Sequence, residues 1–97
     1  MLEETIKTVI KFPELYLGKP SLERLYAFIG GYLFQNNNVN DHCLDGFDAF
    51  VAEKYGMRTT HNWSSIIQFF SNSEREAFDT FIVCFDEFQK KKNTENK

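Results

Sequence analysis

A chain of 97 residues, 42% of them hydrophobic, is long enough to bury one core and too short for two ordinary domains. Its 14 acidic and 11 basic residues give a net charge of −3, which disfavours nonspecific binding to nucleic acid, because displacing counterions from phosphates requires a positive field. Two cysteines are too few for the disulfide framework of a small secreted protein. No signal peptide or membrane-spanning stretch of roughly 20 apolar residues is found, so we expect a cytoplasmic, reduced protein without membrane contact.

Five amphipathic helices are predicted, because apolar residues recur at steps of three and four rather than two. In chain order they span about 2–11, 21–35, 44–55, 62–71 and 74–91. We expect one all-α domain, a compact bundle over residues 1–92, followed by a frayed tail at 93–97. The expected core includes Leu25, Phe28, Ile29, Phe47, Phe50, Ile66, Phe78, Phe81 and Phe85. Cys84, which lies within the last apolar stripe, is expected to be buried as a small hydrophobic side chain.

Capping residues define the predicted helix ends. Ser21 and Asn62 precede helical stretches and can accept hydrogen bonds from the first backbone N–H groups. Ser73 and Glu76 have the spacing of a capping box before the last helix. Gly56 is the predicted C′ residue of the third helix.

Two segments do not follow the simple pattern. Pro13 should end the first helix, because the residue before a proline avoids the α region. Residues 12–20 are predicted to form an ordered connector, and their alternating leucines could instead make a short extended segment. Gly30 and Gly31 lie inside the second helix, where each costs roughly 1 kcal/mol relative to alanine. Close packing against another helix, or a kink near a binding groove, would explain them.

Catalytic and metal-binding patterns are weak. His42 and His61 could act as the two proton-transfer groups of a nuclease. Lys54 or Arg58 would then supply the cation, but nothing in the sequence fixes the spacing of these four residues. The adjacent His42 and Cys43 do not form a ligand-pair motif, and no cofactor motif is present. We therefore expect a protein that is not an enzyme and that needs no metal or cofactor.

Acidic side chains form two candidate surfaces for a cationic protein partner, although a solubilising surface is the simpler interpretation. The first cluster consists of Asp41, Asp45 and Asp48, expected on one face of the third helix. The second cluster consists of Glu76, Asp79 and Asp86, expected on the outer face of the last helix. Both clusters are expected to lack compensating bases, which would leave a local negative field.

Two aromatic residues are candidate anchors within a protein interface. Tyr26 and Trp63 belong to the residue types that are enriched among interface hot spots. Trp63 also has a simpler interpretation as a core residue. If neither acidic cluster binds the partner, recognition would have to use another surface, such as the polar loop at 35–40.

Four segments, Phe12–Tyr32 (FPELYLGKPSLERLYAFIGGY), 47–56 (FDAFVAEKYG), 62–70 (NWSSIIQFF) and 74–88 (EREAFDTFIVCFDEF), carry a family resemblance. Together they resemble small helical immunity proteins of bacteria, encoded beside toxins of contact-dependent growth inhibition and other polymorphic toxin systems. The shared pattern is a Pro-containing entry, "LG", a Ser-led helix ending in "GY", a lone Trp before an Ile pair, and a closing "AF…F…F" helix. These elements are largely architectural, so no functional residue is carried over from the family.

The resemblance implies that the protein binds and neutralises a cognate toxin C-terminal domain, commonly a nuclease, in the bacterial cytoplasm. An inhibitor of a nuclease tends to be acidic, because the active site that it covers is shaped for polyanions, and we therefore expect a basic partner. The alternative is a non-enzymatic helical adaptor or regulatory domain that binds another bacterial or phage protein. In either case we expect a monomer that does not bind nucleic acid directly.

Overall fold

Six α-helices make up the fold of the residues that the computed structural model describes, which are 2–36, 42–57 and 61–95, and no β-strand occurs among them. The helices are α1 (Leu2–Lys11), α2 (Pro13–Leu17), α3 (Leu22–Asn36), α4 (Phe47–Lys54), α5 (Trp63–Phe69) and α6 (Glu74–Glu95). The all-α prediction is confirmed, with one helix more than expected. The radius of gyration, 13.1 Å over Cα atoms, is close to the roughly 13 Å typical of a 100-residue domain, so the helices form one compact unit.

An aromatic cluster fills the centre of the molecule. The long helix α6 packs against α3, α4 and α5, while α1 and α2 pack on α3 and on each other. The Phe47 ring lies 5.2 Å from the Trp63 ring and 5.9 Å from the Phe81 ring between centroids, both edge-to-face. Seven of the nine predicted core residues are buried, and the other two, Phe28 and Phe50, are half-buried at the edge of the core. The predicted burial of Cys84 is confirmed.

The segment predicted to be a connector contains a helix, so the extended alternative was wrong. Pro13 ends α1 as predicted, but it is also the first residue of α2. The N–H at that position has no partner within a helix, so its absence in proline costs nothing, and the fixed φ of proline suits the first turn. Gly18 ends α2 with a φ of 84°, a conformation that favours glycine. The Arg24 guanidinium donates to the Leu17 carbonyl oxygen at 2.7 Å and thereby ties α2 to α3.

The predicted N-caps are confirmed by their hydrogen bonds. The side-chain oxygens of Ser21, Asn62 and Ser73 each accept from the backbone N–H three residues later, at distances of 2.8–3.3 Å. The capping box is only half formed, because the Glu76 carboxylate accepts from the N–H of Asn72 rather than from that of Ser73.

Two predicted boundaries were wrong. Residues 43–46 form a turn, so α4 begins at Phe47, after Gly46 at a φ of 86°. Gly56 follows α4 with a φ of 68°, as predicted for a C′ residue. The helix α6 continues through the predicted tail to Glu95, and the rest of that tail lies outside the described residues.

Candidate protein-binding surface

The first predicted acidic cluster does not form a helix face. Asp41 lies outside the described residues, and Asp45 belongs to the turn before α4 rather than to the helix. The Asp45 carboxylate lies 2.7 Å from Nδ1 of His42. Asp48 is in the first turn of α4, where it accepts from the backbone N–H of Trp63 at 2.8 Å. Asp48 therefore joins the start of α5 to α4, a structural role that leaves it less free for a partner.

The second predicted cluster is partly neutralised by its own helix. Asp79 pairs with Arg75 at 3.2 Å and Asp86 with Lys90 at 3.0 Å, each four residues apart and exposed. The expectation that these acids lack compensating bases was therefore wrong for both. Glu76 differs, since among the described residues no Lys, Arg or His nitrogen lies within 4.0 Å of its carboxylate.

The two predicted aromatic anchors lie against each other. Trp63 is 5% exposed and belongs to the core, so its indole offers almost no surface to a partner. Tyr26 is 40% exposed and packs on that indole edge-to-face, with 5.2 Å between ring centroids. Tyr26 is thus available as a surface contact, and the buried Trp63 ring packs against it.

The structure reveals an exposed aromatic group that was not predicted from the sequence. Tyr55, Phe69 and Phe70, hereafter the aromatic ledge, lie at the C-terminal ends of α4 and α5. The Tyr55 and Phe70 rings stack with 4.7 Å between centroids and 6° between planes, and the Phe69 ring meets Phe70 edge-to-face at 5.1 Å. Phe69 is 78% exposed and Phe70 44% exposed, so two large apolar side chains face solvent side by side.

The ledge lies beside the start of α6. Glu76, in the first turn of that helix, accepts from the backbone N–H of Asn72 at 3.2 Å, only two residues after Phe70. Desolvation raises the pKa of Tyr55, and the negative charges of Cys84 and Glu76 add to the rise. Val83, more than half exposed, lies two turns after Glu76 on the same side of α6. The ledge is therefore followed, across a short turn, by a carboxylate that no cation of the described residues pairs with.

The ledge was not predicted from the sequence, because Phe69 and Phe70 follow Ile66 and Ile67 at helical spacing and are easily assigned to the same apolar stripe. A signal was present: at 100° per residue, Phe69 falls well outside the arc defined by the buried residues Trp63, Ile66 and Ile67. The stacking of Phe70 on Tyr55 could not be found in this way, since it joins two helices that are distant in sequence.

The outer face of α3 is a second exposed apolar surface. A Cβ built on Gly30 or on Gly31 would have no atom of another part of the described structure within 4 Å. Close helix packing, one of the two predicted explanations for these glycines, is therefore wrong for the described residues. Phe34, one turn later on the same helix, is 90% exposed.

A groove of about 260 Å³ separates α1 from α6. Its rims carry exposed ion pairs within single helices, Glu3–Lys7 at 2.9 Å and Asp86–Lys90 at 3.0 Å. The bond to Glu3 raises the pKa of Lys7, and Asp86 across the groove adds a smaller effect. Unlike the ledge, this groove carries charges that already have partners.

Two of the four candidate nuclease residues already form ion pairs or hydrogen bonds with carboxylates. His42 is exposed and pairs with Asp45, whereas Lys54 pairs with Glu87. Arg58 lies outside the described residues, and His61 is exposed at the start of the segment before α5. No group of three or more His, Cys, Asp or Glu side chains suited to a metal ion occurs within 2–36, 42–57 and 61–95.

None of the described helices is both long enough and apolar enough to cross a membrane. Comparison of the chain with protein-family models, with curated proteins and with solved structures gave no match in any of the three.

Proposed function

We propose that this protein is a non-enzymatic immunity protein that binds a cognate toxin C-terminal domain in the bacterial cytoplasm and neutralises it. The observation that carries the proposal is the aromatic ledge, in which Phe69 and Phe70 face solvent together. Exposed apolar clusters of this kind are typical of protein–protein interfaces, where aromatic residues contribute much of the binding free energy.

The charge of the chain favours a basic partner. With a net charge of −3, the protein is attracted to a cationic surface, and complementary charge raises the association rate. The resemblance of Phe12–Tyr32 and the later helices to immunity proteins supports a toxin as that partner. A standard interface of about 800 Å² per partner would cover roughly an eighth of the 6478 Å² accessible surface, which a chain of this size can provide.

Co-expression with the toxin tests the proposal. The toxin to test is the C-terminal domain of the protein encoded immediately upstream, if that gene encodes a large secreted protein with a variable C-terminal domain. We expect cells that produce this domain to survive only when the wild-type chain is also produced. Survival that is no better with the chain than without it would reject the immunity function, and an adaptor with another partner would then be favoured.

A further inference from the structure

Surface aromatic rings on this molecule differ in whether the chain supplies its own cation. Lys11 lies 5.6 Å from the Phe12 ring centroid, Lys91 lies 5.7 Å from that of Phe50, and Lys92 lies 5.3 Å from that of Phe88. These distances are within the roughly 6 Å at which a cation is attracted to the face of an aromatic ring. The exposed Phe12, the half-buried Phe50 and the buried Phe88 thus each have an internal cation.

The ledge has no such cation within the described part of the chain. No lysine or arginine lies over Phe69 or Phe70, although Phe69 is the more exposed ring of the two. The nearest lysine on α4, Lys54, is held by Glu87. Among the described residues Glu76 is likewise without a cation within 4.0 Å. Only a short turn separates this carboxylate from the ledge, because Glu76 accepts from the N–H of Asn72, two residues after Phe70.

We propose that the ledge receives an arginine side chain of the protein partner, whose guanidinium stacks on the exposed Phe69 ring and pairs with the Glu76 carboxylate. This assignment rests on the proposed function for the identity of the partner, but not for the chemistry of the site. Charge complementarity selects the occupant, because a cation satisfies both the ring face and the carboxylate at once.

Arginine fits this site better than lysine. Its planar guanidinium can lie parallel to a ring while its edge N–H groups donate to a carboxylate, and it is more weakly hydrated than an ammonium group. The Phe69 ring supplies the plane, and the Glu76 carboxylate uses one oxygen for the Asn72 N–H, which leaves the other for the guanidinium.

The test uses the purified protein and three small capped peptides, in which glycines flank arginine, lysine or citrulline. Citrulline has nearly the same shape as arginine without its charge. Amide and aromatic NMR signals are followed during titration to about 50 mM peptide, since a single exposed site of this kind binds in the millimolar range. We expect the arginine peptide to shift the signals of Phe69, Phe70 and Asn72, with an affinity at least about threefold above that of the citrulline peptide and above that of the lysine peptide.

Two variants locate the charge. We expect Glu76→Gln to reduce the affinity for the arginine peptide about threefold or more and to leave that for the citrulline peptide unchanged. Glu23→Gln is the matched control and should change neither affinity. Glu23, on α3, is also exposed, and no cation of the described residues lies within 4.0 Å of its carboxylate. Ledge signals that do not move, that move equally with citrulline, or that are insensitive to Glu76→Gln would overturn the arginine site. Equal affinity for lysine would overturn the choice of arginine.

These outcomes are separate from those of the survival assay. The peptide experiment needs no toxin, so a ledge that binds arginine in a chain that fails to protect cells would reject only the immunity function. A chain that protects cells but shows no arginine binding would reject only the present inference.

Discussion

Phe81 and Phe69 are the same side chain in opposite surroundings. Phe81 is fully buried, with its ring centroid 5.0 Å from that of Trp63 and 5.5 Å from that of Phe85. Phe69 is 78% exposed, and among the described residues the one aromatic ring that its ring meets is that of Phe70. Full burial of a phenylalanine stabilises a fold by about 1.5–3 kcal/mol, and Phe69 forgoes most of this gain. Buried aromatic residues such as Phe81 stabilise the fold, whereas we propose that exposed ones such as Phe69 bind the partner.

Phe50 is half-buried and lies between these two extremes, whereas Phe88 belongs to the buried core. A lysine from the end of α6 lies over each of these two rings. One of them, Lys92, also donates to the His42 carbonyl oxygen at 2.8 Å and so connects α6 to the turn before α4. The cations of α6 thus shield the aromatic edge near its C-terminus, whereas its N-terminal end leaves the ledge open.

Replacing the core phenylalanine should have the largest effect. We expect Phe81→Ala to lower the free energy of unfolding by about 3–5 kcal/mol, because it removes buried area and leaves a cavity among three aromatic rings. Phe69→Ala is the matched control and should cost at most about 0.5 kcal/mol. Urea denaturation measures both, and similar losses in the two variants would contradict the separation of core from ledge.

The sequence predicted the core side of this comparison well and the ledge poorly. Helical periodicity identifies residues such as Phe78 and Phe81, since burial of one helix face follows from spacing alone. Caps such as Asn62 are local and were also predictable. The stacking of Phe70 on Tyr55 and the pairing of Asp48 with α5 depend on how helices meet in space, which spacing within one helix does not specify. The helix α2 was missed because Pro13 was interpreted only as an end, although a proline also starts helices.

The aromatic core also depends on a polar contact at its edge. Asp48→Ala removes the acceptor for the backbone N–H of Trp63. It should lower the free energy of unfolding by about 0.5–2 kcal/mol, as the loss of a helix cap does. Asp48→Asn keeps an acceptor oxygen and should recover most of the loss. If Asp48→Ala is as stable as the wild type, Asp48 is not a structural residue and returns as a candidate for partner binding.

A glycine substitution on α3 should stabilise the protein. We expect Gly30→Ala to raise the free energy of unfolding by about 0.4–1 kcal/mol, because the added methyl group meets open space and alanine favours the helix. Gly18→Ala should have the opposite sign, since Gly18 has a φ of 84° and a Cβ there would lie 2.8 Å from an Arg24 nitrogen. Thermal denaturation of the two variants checks the signs, and destabilisation by Gly30→Ala would show that this face is packed.

Tyr55 should make stability sensitive to alkaline pH by a smaller amount. Burial raises its pKa in the folded state above the value in the unfolded chain, so the native state holds the phenolic proton more tightly. The resulting stability is complete below the unfolded pKa of about 10 and is lost as the pH rises through the folded pKa. The Tyr55→Phe variant has no phenolic proton and therefore lacks this pH-dependent change in stability. We expect urea midpoints measured at about pH 8 and about pH 10.5 to fall more for the wild type than for Tyr55→Phe, and equal decreases would contradict this account.

The most direct test compares Phe69→Ser with Phe34→Ser, two substitutions of exposed phenylalanines on different surfaces. Each variant is co-expressed with the toxin domain, and its melting temperature is measured alongside. We predict that both variants keep a melting temperature within a few degrees of the wild type, that Phe34→Ser still protects the cells, and that Phe69→Ser does not. Full protection by a folded Phe69→Ser variant would contradict the claim that the ledge is the binding surface.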